Sequence, residues 1–292
     1  MEDEDMETHM VIDSHQHFWQ LGRFDGPNLD PGSVLYRDFL PEHLKPCLDG
    51  AGVQRTVVVQ AVHSVDEAHW LLQLAEKHAF IAGIVGWVDL NDPRVGETLD
   101  ELSSHPKFKG VRRGLEFESG PAWVLREDVL RGLGELARRG IPYDLLVRPE
   151  HLRYVPVVAE RVPDLCMVVD HIAKPPIKTG AIEEWATDLA EVAKIPAVYC
   201  KLSGMITEAD WQHWRPADLE PYVHTVLELF GYDRVMFGSD WPVCLLAGSY
   251  GQVRDALVEA LGPVSQEQYA KVFGRNTQAF YRLGDMTWFP SP

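Results

Sequence analysis

The feature that most constrains this chain is an alternation of two kinds of segment. Eight short apolar, β-branched runs fall at Val11–His15, Thr56–Val62, Ile81–Val88, Gly110–Leu115, Pro142–Val147, Cys166–Asp170, Ala197–Leu202 and Arg234–Gly238. They are nearly continuous in hydrophobicity, which suits parallel strands covered on both faces better than half-exposed strands with polar alternation. Between them lie amphipathic stretches of helical period. One opens at Ser64-Val65-Asp66-Glu67, read as an N-cap with a reciprocal capping box, before the apolar stripe Ala68, Leu71, Leu72 and Ala75. Others cover roughly 93–104, 124–139, 151–161, 182–193, 218–230 and 251–261, and a last one near 265–282 is expected to pack across the outside of the fold. Eight strand–helix units predict an α/β chain folded as a (β/α)8 TIM barrel. An open doubly wound sheet is the rival, disfavoured because no glycine-rich first turn is present.

Length and charge fit that expectation. The 292 residues exceed what one average domain needs, but a barrel over 11–292 absorbs them, leaving an acidic tail over 1–10 and an irregular lid loop over 21–35. The formal net charge of -17 argues against a nucleic-acid partner, since such binding draws on clustered positive charge. No run approaches the length of a membrane span, so no membrane partner is expected. The acidic opening segment does not read as a signal peptide. Cysteines at 47, 166, 200 and 244 are scattered without CxxC pairing, with Cys166 and Cys200 in apolar runs, and a reducing, cytoplasmic setting is expected. A homo-oligomer is compatible with all of this.

The chemistry concentrates at strand ends. In Asp13-Ser14-His15-Gln16-His17 the two histidines share one strand face, about 7 Å apart along it, and in a barrel that face can be the interior. Val168-Val169-Asp170-His171 ends the sixth run, and Phe237-Gly238-Ser239-Asp240-Trp241-Pro242 ends the eighth. Singly, a histidine after an apolar run is a packed core residue and an aspartate after a strand is a cap. Three strand ends delivering His-x-His, His and Asp to one rim define a candidate active site.

These pieces resemble the amidohydrolase superfamily, over nearly the whole chain from Val11 to Leu283. The stretches IDSHQHFW, GVRRGLEFE, YDLLVRPEHL, VVDHIAKP, KLSGM and FGSDWPV are most similar to its lactonase branch, which includes L-fucono- and L-rhamnono-lactonases. The resemblance implies a hydrolase that opens a sugar-acid lactone, with Asp240 as general base and His15, His17 and His171 polarising the carbonyl. Binuclear members carry a lysine at the end of strand four and a histidine at the end of strand five. Here the fourth run offers Arg112 and Arg113, with Lys109 at its wrong end, and the fifth offers Tyr143 and Asp144, with His151 beyond it. A two-metal centre is therefore not expected. The resemblance favours no required cofactor; the alternative is one divalent ion such as zinc, held by His15, His17 and Asp240 with help from His171.

Arg112 or Arg113 is expected to bind substrate, with only one of the adjacent pair facing inward and the other pairing with an acid outside. Lys201, Asp144, Trp19 and Trp241 complete the candidate substrate contacts, each with a packing or ion-pairing role as the plain alternative. Rival functions are a metal-dependent decarboxylase of an aromatic or muconate-type acid on the same scaffold, a metal-dependent nuclease, and a silent binding barrel. The charge disfavours the nuclease, and retention of His15, His17, His171 and Asp240 disfavours the silent barrel.

Overall fold

The computed structural model describes residues 9–24, 29–115, 120 and 122–284. Most of the acidic tail, four residues of the lid loop, and Glu116–Glu118 of the fourth-strand motif lie outside these residues. Eight parallel strands form one sheet in sequence order: β1 Ile12–Gln16, β2 Arg55–Val59, β3 Ile81–Gly86, β4 Phe108–Gly114, β5 Tyr143–Leu146, β6 Met167–Val169, β7 Val198–Leu202 and β8 Val235–Phe237. The ends curl together: His17 N–H donates to the Trp241 carbonyl (2.7 Å) and Asp240 N–H to the His15 carbonyl (2.8 Å). The result is the expected (β/α)8 barrel.

Around it lie α1 Pro41–Gly50, α2 Val65–Lys77, α3 Val95–Ser103, α4 Glu127–Arg139, α5 Val155–Arg161, α6 Glu183–Ala193, α7 Met205–Glu208, α8 Pro216–Phe230 and α9 Tyr250–Leu261, followed by α10 Gln266–Ala270 and α11 Asn276–Phe280. Four sequence readings change. Helix α1 was not foreseen; Pro41 and Pro46 and its polar composition hide its period. The stretch read as one helix over 151–161 is a 3-10 segment, Pro149–Tyr154, running into α5. Cys166 is exposed just ahead of β6 rather than inside a strand, and all four cysteines are free. The last stretch is broken by a π turn at Lys271–Arg275.

That last segment also packs differently from expectation. Phe280 and Tyr281 join Val57, Val59, Val85, Val168 and Met236 in an apolar cluster formed by alternate barrel-strand residues. The C-terminal turn thus plugs the bottom of the barrel, and the Tyr281 hydroxyl reaches up to Asp144 Oδ2 at 2.7 Å. The far larger cluster lies between the sheet and the helices. The barrel interior is therefore apolar at its base and charged in its middle, with the strand ends left to build a site at the top.

Candidate active site

Strand β1 brings His15 and His17 inward. Their Nε2 atoms are 3.2 Å apart, far closer than the strand repeat alone would give, because the rings tilt toward each other. His17 Nδ1 lies 2.8 Å from the Val59 carbonyl. A carbonyl only accepts, so Nδ1 carries the proton, and in the neutral ring Nε2 is a bare lone pair. That lone pair faces Asp240 Oδ1 at 3.3 Å.

Asp240 follows β8 in a left-handed conformation (φ 55°), which aspartate tolerates better than most residues. Burial opposes its ionisation, but His171, His15 and His17 together outweigh that cost and hold its carboxyl well below the usual carboxylate range. Asp13 fixes the seam beneath. Its carboxylate accepts from Ser239 N–H (2.9 Å), Ser239 Oγ (2.6 Å), His15 N–H (3.0 Å) and Tyr250 OH (3.0 Å), while burial raises its pKa to about 6.

His171 is presented by an unusual turn. His171, Ile172, Ala173 and Lys174 have φ values of 53°, 47°, 62° and 51°, four consecutive left-handed residues without a glycine. Each costs about 1–2 kcal/mol in an L-residue, so surrounding contacts must hold the turn in place. Burial lowers the His171 pKa to about 4, leaving a neutral imidazole at neutral pH. Its Nε2 is 3.9 Å from Asp240 Oδ1.

Beneath the imidazoles sits a buried charged layer. Lys201 Nζ pairs with Asp144 Oδ2 (2.5 Å) and Asp170 Oδ1 (3.0 Å) and approaches His15 Nδ1 (3.1 Å), all fully buried. Arg112 donates to the Gln60 carbonyl (2.5 Å), to Asp170 Oδ2 (3.5 Å) and toward His15 Nε2 (3.3 Å). Burial alone would raise Asp170, yet Lys201, His15 and Arg112 hold it well below its ordinary value. Burial keeps Asp144 up, near 6, despite Lys201.

Above this layer opens a pocket of about 310 Å³. His17, Arg112, His171 and Asp240 form its floor. Its walls divide by strand. Trp19, Leu29 and Leu35 after β1, Ala61 after β2 and Val243 after β8 make one side apolar, while Lys174 after β6 and Thr207 and Glu208 on α7 make the opposite side polar. Leu146 closes the gap at β5, and Trp211 stands half-exposed at the polar edge. The lid-loop residues Leu29 and Leu35 reach this wall from a loop pinned at its base by paired Trp19–Phe39 backbone hydrogen bonds (2.9 and 3.0 Å).

Of the expected substrate contacts, Arg112 and Trp19 line the pocket. Arg113 faces outward to Asp89 (3.1 Å) and lies over the Trp87 and Trp123 rings. Lys201 and Asp144 are sealed in the layer below, and Trp241 packs edge-on against Phe18 and Phe39 instead of the pocket. The sequence pattern assigned no role to Asp170, Ser203 or the α7 wall. The Asp170-His171 pair offered the only local signal; the others acquire their positions through long-range contacts.

The donor set suits one cation. His15, His171 and Asp240 offer ligand atoms all within 4.8 Å of one another, with His17 Nε2 beside them. The bare Nε2 of His17 and an ionised oxygen of Asp240 are both acceptors, so a proton or a positive ion belongs between them. Arg112 competes for the His15 Nε2 lone pair.

A parallel barrel with His-x-His at β1, His after β6 and Asp after β8 defines a class of hydrolytic barrel sites. The chain belongs to the amidohydrolase family, whose profile matches residues 12–283. It is 40% identical over 283 residues to an L-fucono-1,5-lactonase of Burkholderia ambifaria, covering 93% of this chain and 95% of that one. A crystal structure of an amidohydrolase from Burkholderia multivorans with bound zinc superposes with a TM-score of 0.88 at 38% identity, over 94% of this chain and 100% of that one. A 5-carboxyvanillate decarboxylase from Novosphingobium aromaticivorans, complexed with manganese, shares the fold alone, at 15% identity and a TM-score of 0.68 over 94% and 97% of the two chains.

Proposed function

We propose that this protein hydrolyses the ester bond of a small sugar-acid lactone, of the L-fucono- or L-rhamnono-lactone kind, with Asp240 activating the attacking water. The observation that carries the reading is an ionised carboxylate set among imidazoles on the floor of a monosaccharide-sized pocket. The lactonases similar along nine-tenths of both chains support the substrate class.

Asp240 Oδ accepts a proton as water oxygen bonds to the lactone carbonyl carbon. The carbonyl π electrons move onto oxygen, where Arg112 and a neutral His171 stand as donors. Collapse of the tetrahedral intermediate breaks the bond to the ring oxygen, and Asp240 returns its proton to the leaving alkoxide. Low basicity at Asp240 favours the return of the proton, because an alkoxide is by far the stronger base, while the first transfer is driven by the water oxygen becoming acidic as it bonds to the carbonyl carbon. The acid product ionises, releasing one proton per turnover. The His15 carbonyl accepts from Asp240 N–H at 2.8 Å and so anchors the residue that carries the carboxylate, and Trp19, Lys174, Thr207, Glu208 and Trp211 contact the sugar.

One divalent ion such as zinc fits His15, His17, His171 and Asp240, and when bound it would supply Lewis-acid polarisation of the carbonyl. We infer that none is required, since the Arg112 guanidinium lines the pocket floor. Free cysteines suit a reducing cytoplasm.

The test is a pH-indicator screen of aldonolactones beside assays for carbon dioxide from aromatic acids. Proton release on L-fucono- or L-rhamnono-lactone is expected. Silence across all lactones, with carbon dioxide released, would transfer the assignment to decarboxylation.

A further inference from the structure

Four left-handed residues in a row place His171, and such a turn persists only if its neighbours leave it no alternative. Three neighbours do so. Trp185, buried on α6, donates from Nε1 to the Ile172 carbonyl at 2.7 Å. Ser203, immediately after β7 and fully buried, meets His171 Nδ1 through its hydroxyl at 2.9 Å. Gly204 lies directly against the ring: a Cβ there would come within 2.5 Å of His171 Nδ1. The turn closes on itself through Lys174 N–H to the His171 carbonyl at 2.8 Å.

We propose that Ser203 is a positioning residue for the reaction, acting with Trp185 and the bare backbone of Gly204 through His171; this rests on the lactonase reading of the site. Ser203 bonds Nδ1, whichever of the two is the donor, and so fixes the ring's rotation about its Cβ–Cγ bond. The other nitrogen, Nε2, is thereby aimed toward Asp240 and the pocket. Trp185 holds the strained backbone behind the ring, and Gly204 supplies the space that the ring fills. None of the three needs to touch substrate through its side chain to affect the chemical step.

The experiment uses the full chain as wild type, Ser203→Ala, Trp185→Phe, His171→Ala and the Ser203→Ala/His171→Ala double variant. Steady-state proton release on L-fuconolactone is combined with ¹⁵N spectra of the imidazole nitrogens. Ser203→Ala is expected to lower kcat about 10–100-fold while KM moves by less than about threefold, as a misaimed group costs rate more than affinity. Its His171 ring resonances should shift. The double variant should fall no further than His171→Ala alone, because the two residues act as one unit. A Ser203→Ala enzyme within about twofold of wild-type kcat, or losses that multiply in the double variant, would overturn the proposal. Should Ser203→Ala fail to fold, Trp185→Phe removes the hydrogen bond to Ile172 while keeping a ring, and the same kcat and resonance criteria decide. A wild type silent on every lactone sinks the lactonase reading instead, and the ring-nitrogen shift still decides whether Ser203 positions His171.

Discussion

Asp240 gains its role from its neighbours, which makes it a sharp test. Asp240→Asn keeps the shape and the backbone hydrogen bonds but cannot take a proton from water. We expect lactone hydrolysis to fall by about 10²–10⁴-fold with an unchanged circular dichroism spectrum. Turnover like wild type would remove Asp240 from the base role. Glu67 makes a second residue-scale case. Its amide is capped by Ser64 as the sequence predicted, but its carboxylate turns away from the reciprocal bond to Ser64 and accepts from Ala61 and Val62 N–H at 3.0–3.2 Å. Burial raises its pKa from 4.5 to about 7. The folded state therefore holds this proton more tightly than the unfolded state, so its contribution falls as pH rises from about 4.5 through about 7, by on the order of 3 kcal/mol. The urea midpoint of wild type should fall relative to that of Glu67→Gln as pH rises across that window; a difference independent of pH would refute the raised pKa.

At the scale of elements, eight strands were legible because each is apolar, short and punctuated, and His15, His17, His171 and Asp240 were legible because each ends such a strand. Asp170 and Ser203 were not, since their meaning comes from partners on other strands or loops, and Lys201 was legible only as one of two roles, of which it takes the ion pair. It meets an aspartate 57 positions away and a histidine 186 away. Helix α1 escaped because two prolines and a polar face blur its period, whereas the final helical stretch was legible and only the π turn inside it was not. Two glycines of α4 show what sequence pattern alone cannot rank. A Cβ on Gly132 would sit 2.3 Å from the Leu90 carbonyl oxygen, a backbone atom with nowhere to go, whereas one on Gly134 meets nothing within 4 Å. Gly→Ala in a helix interior gains up to about 1 kcal/mol. Gly134→Ala should therefore raise the melting temperature, and Gly132→Ala should lower it by the equivalent of about 1–3 kcal/mol as α4 is pushed off the loop after β3. Equal shifts for both would mean that α4 does not pack against Leu90.

For the whole molecule, two terms act at different ranges. Inside the pocket, the Arg112 guanidinium lines the floor beside His171 and Asp240, so we expect it to supply positive charge to the reacting carbonyl without an added ion. Exhaustive chelation, verified by elemental analysis, is expected to leave kcat within about twofold, and loss of activity restored by zinc would reassign carbonyl polarisation to a cation. Beyond the pocket, the net charge of -17 dominates. A lactone is neutral and feels little of that field, whereas the sugar-acid product is an anion that leaves against the local pull of Arg112 and along the outward push of the surface carboxylates. The long-range push is screened by salt, while contacts within the buried floor are screened much less. Raising ionic strength from about 0.01 to about 0.3 M should therefore leave KM for the lactone nearly constant but strengthen inhibition by the aldonate product. Measured as competitive inhibition at fixed pH, a product constant that does not tighten with salt would show that the acidic surface has no part in release. Parallel salt dependence of KM and product inhibition would instead point to a charged substrate.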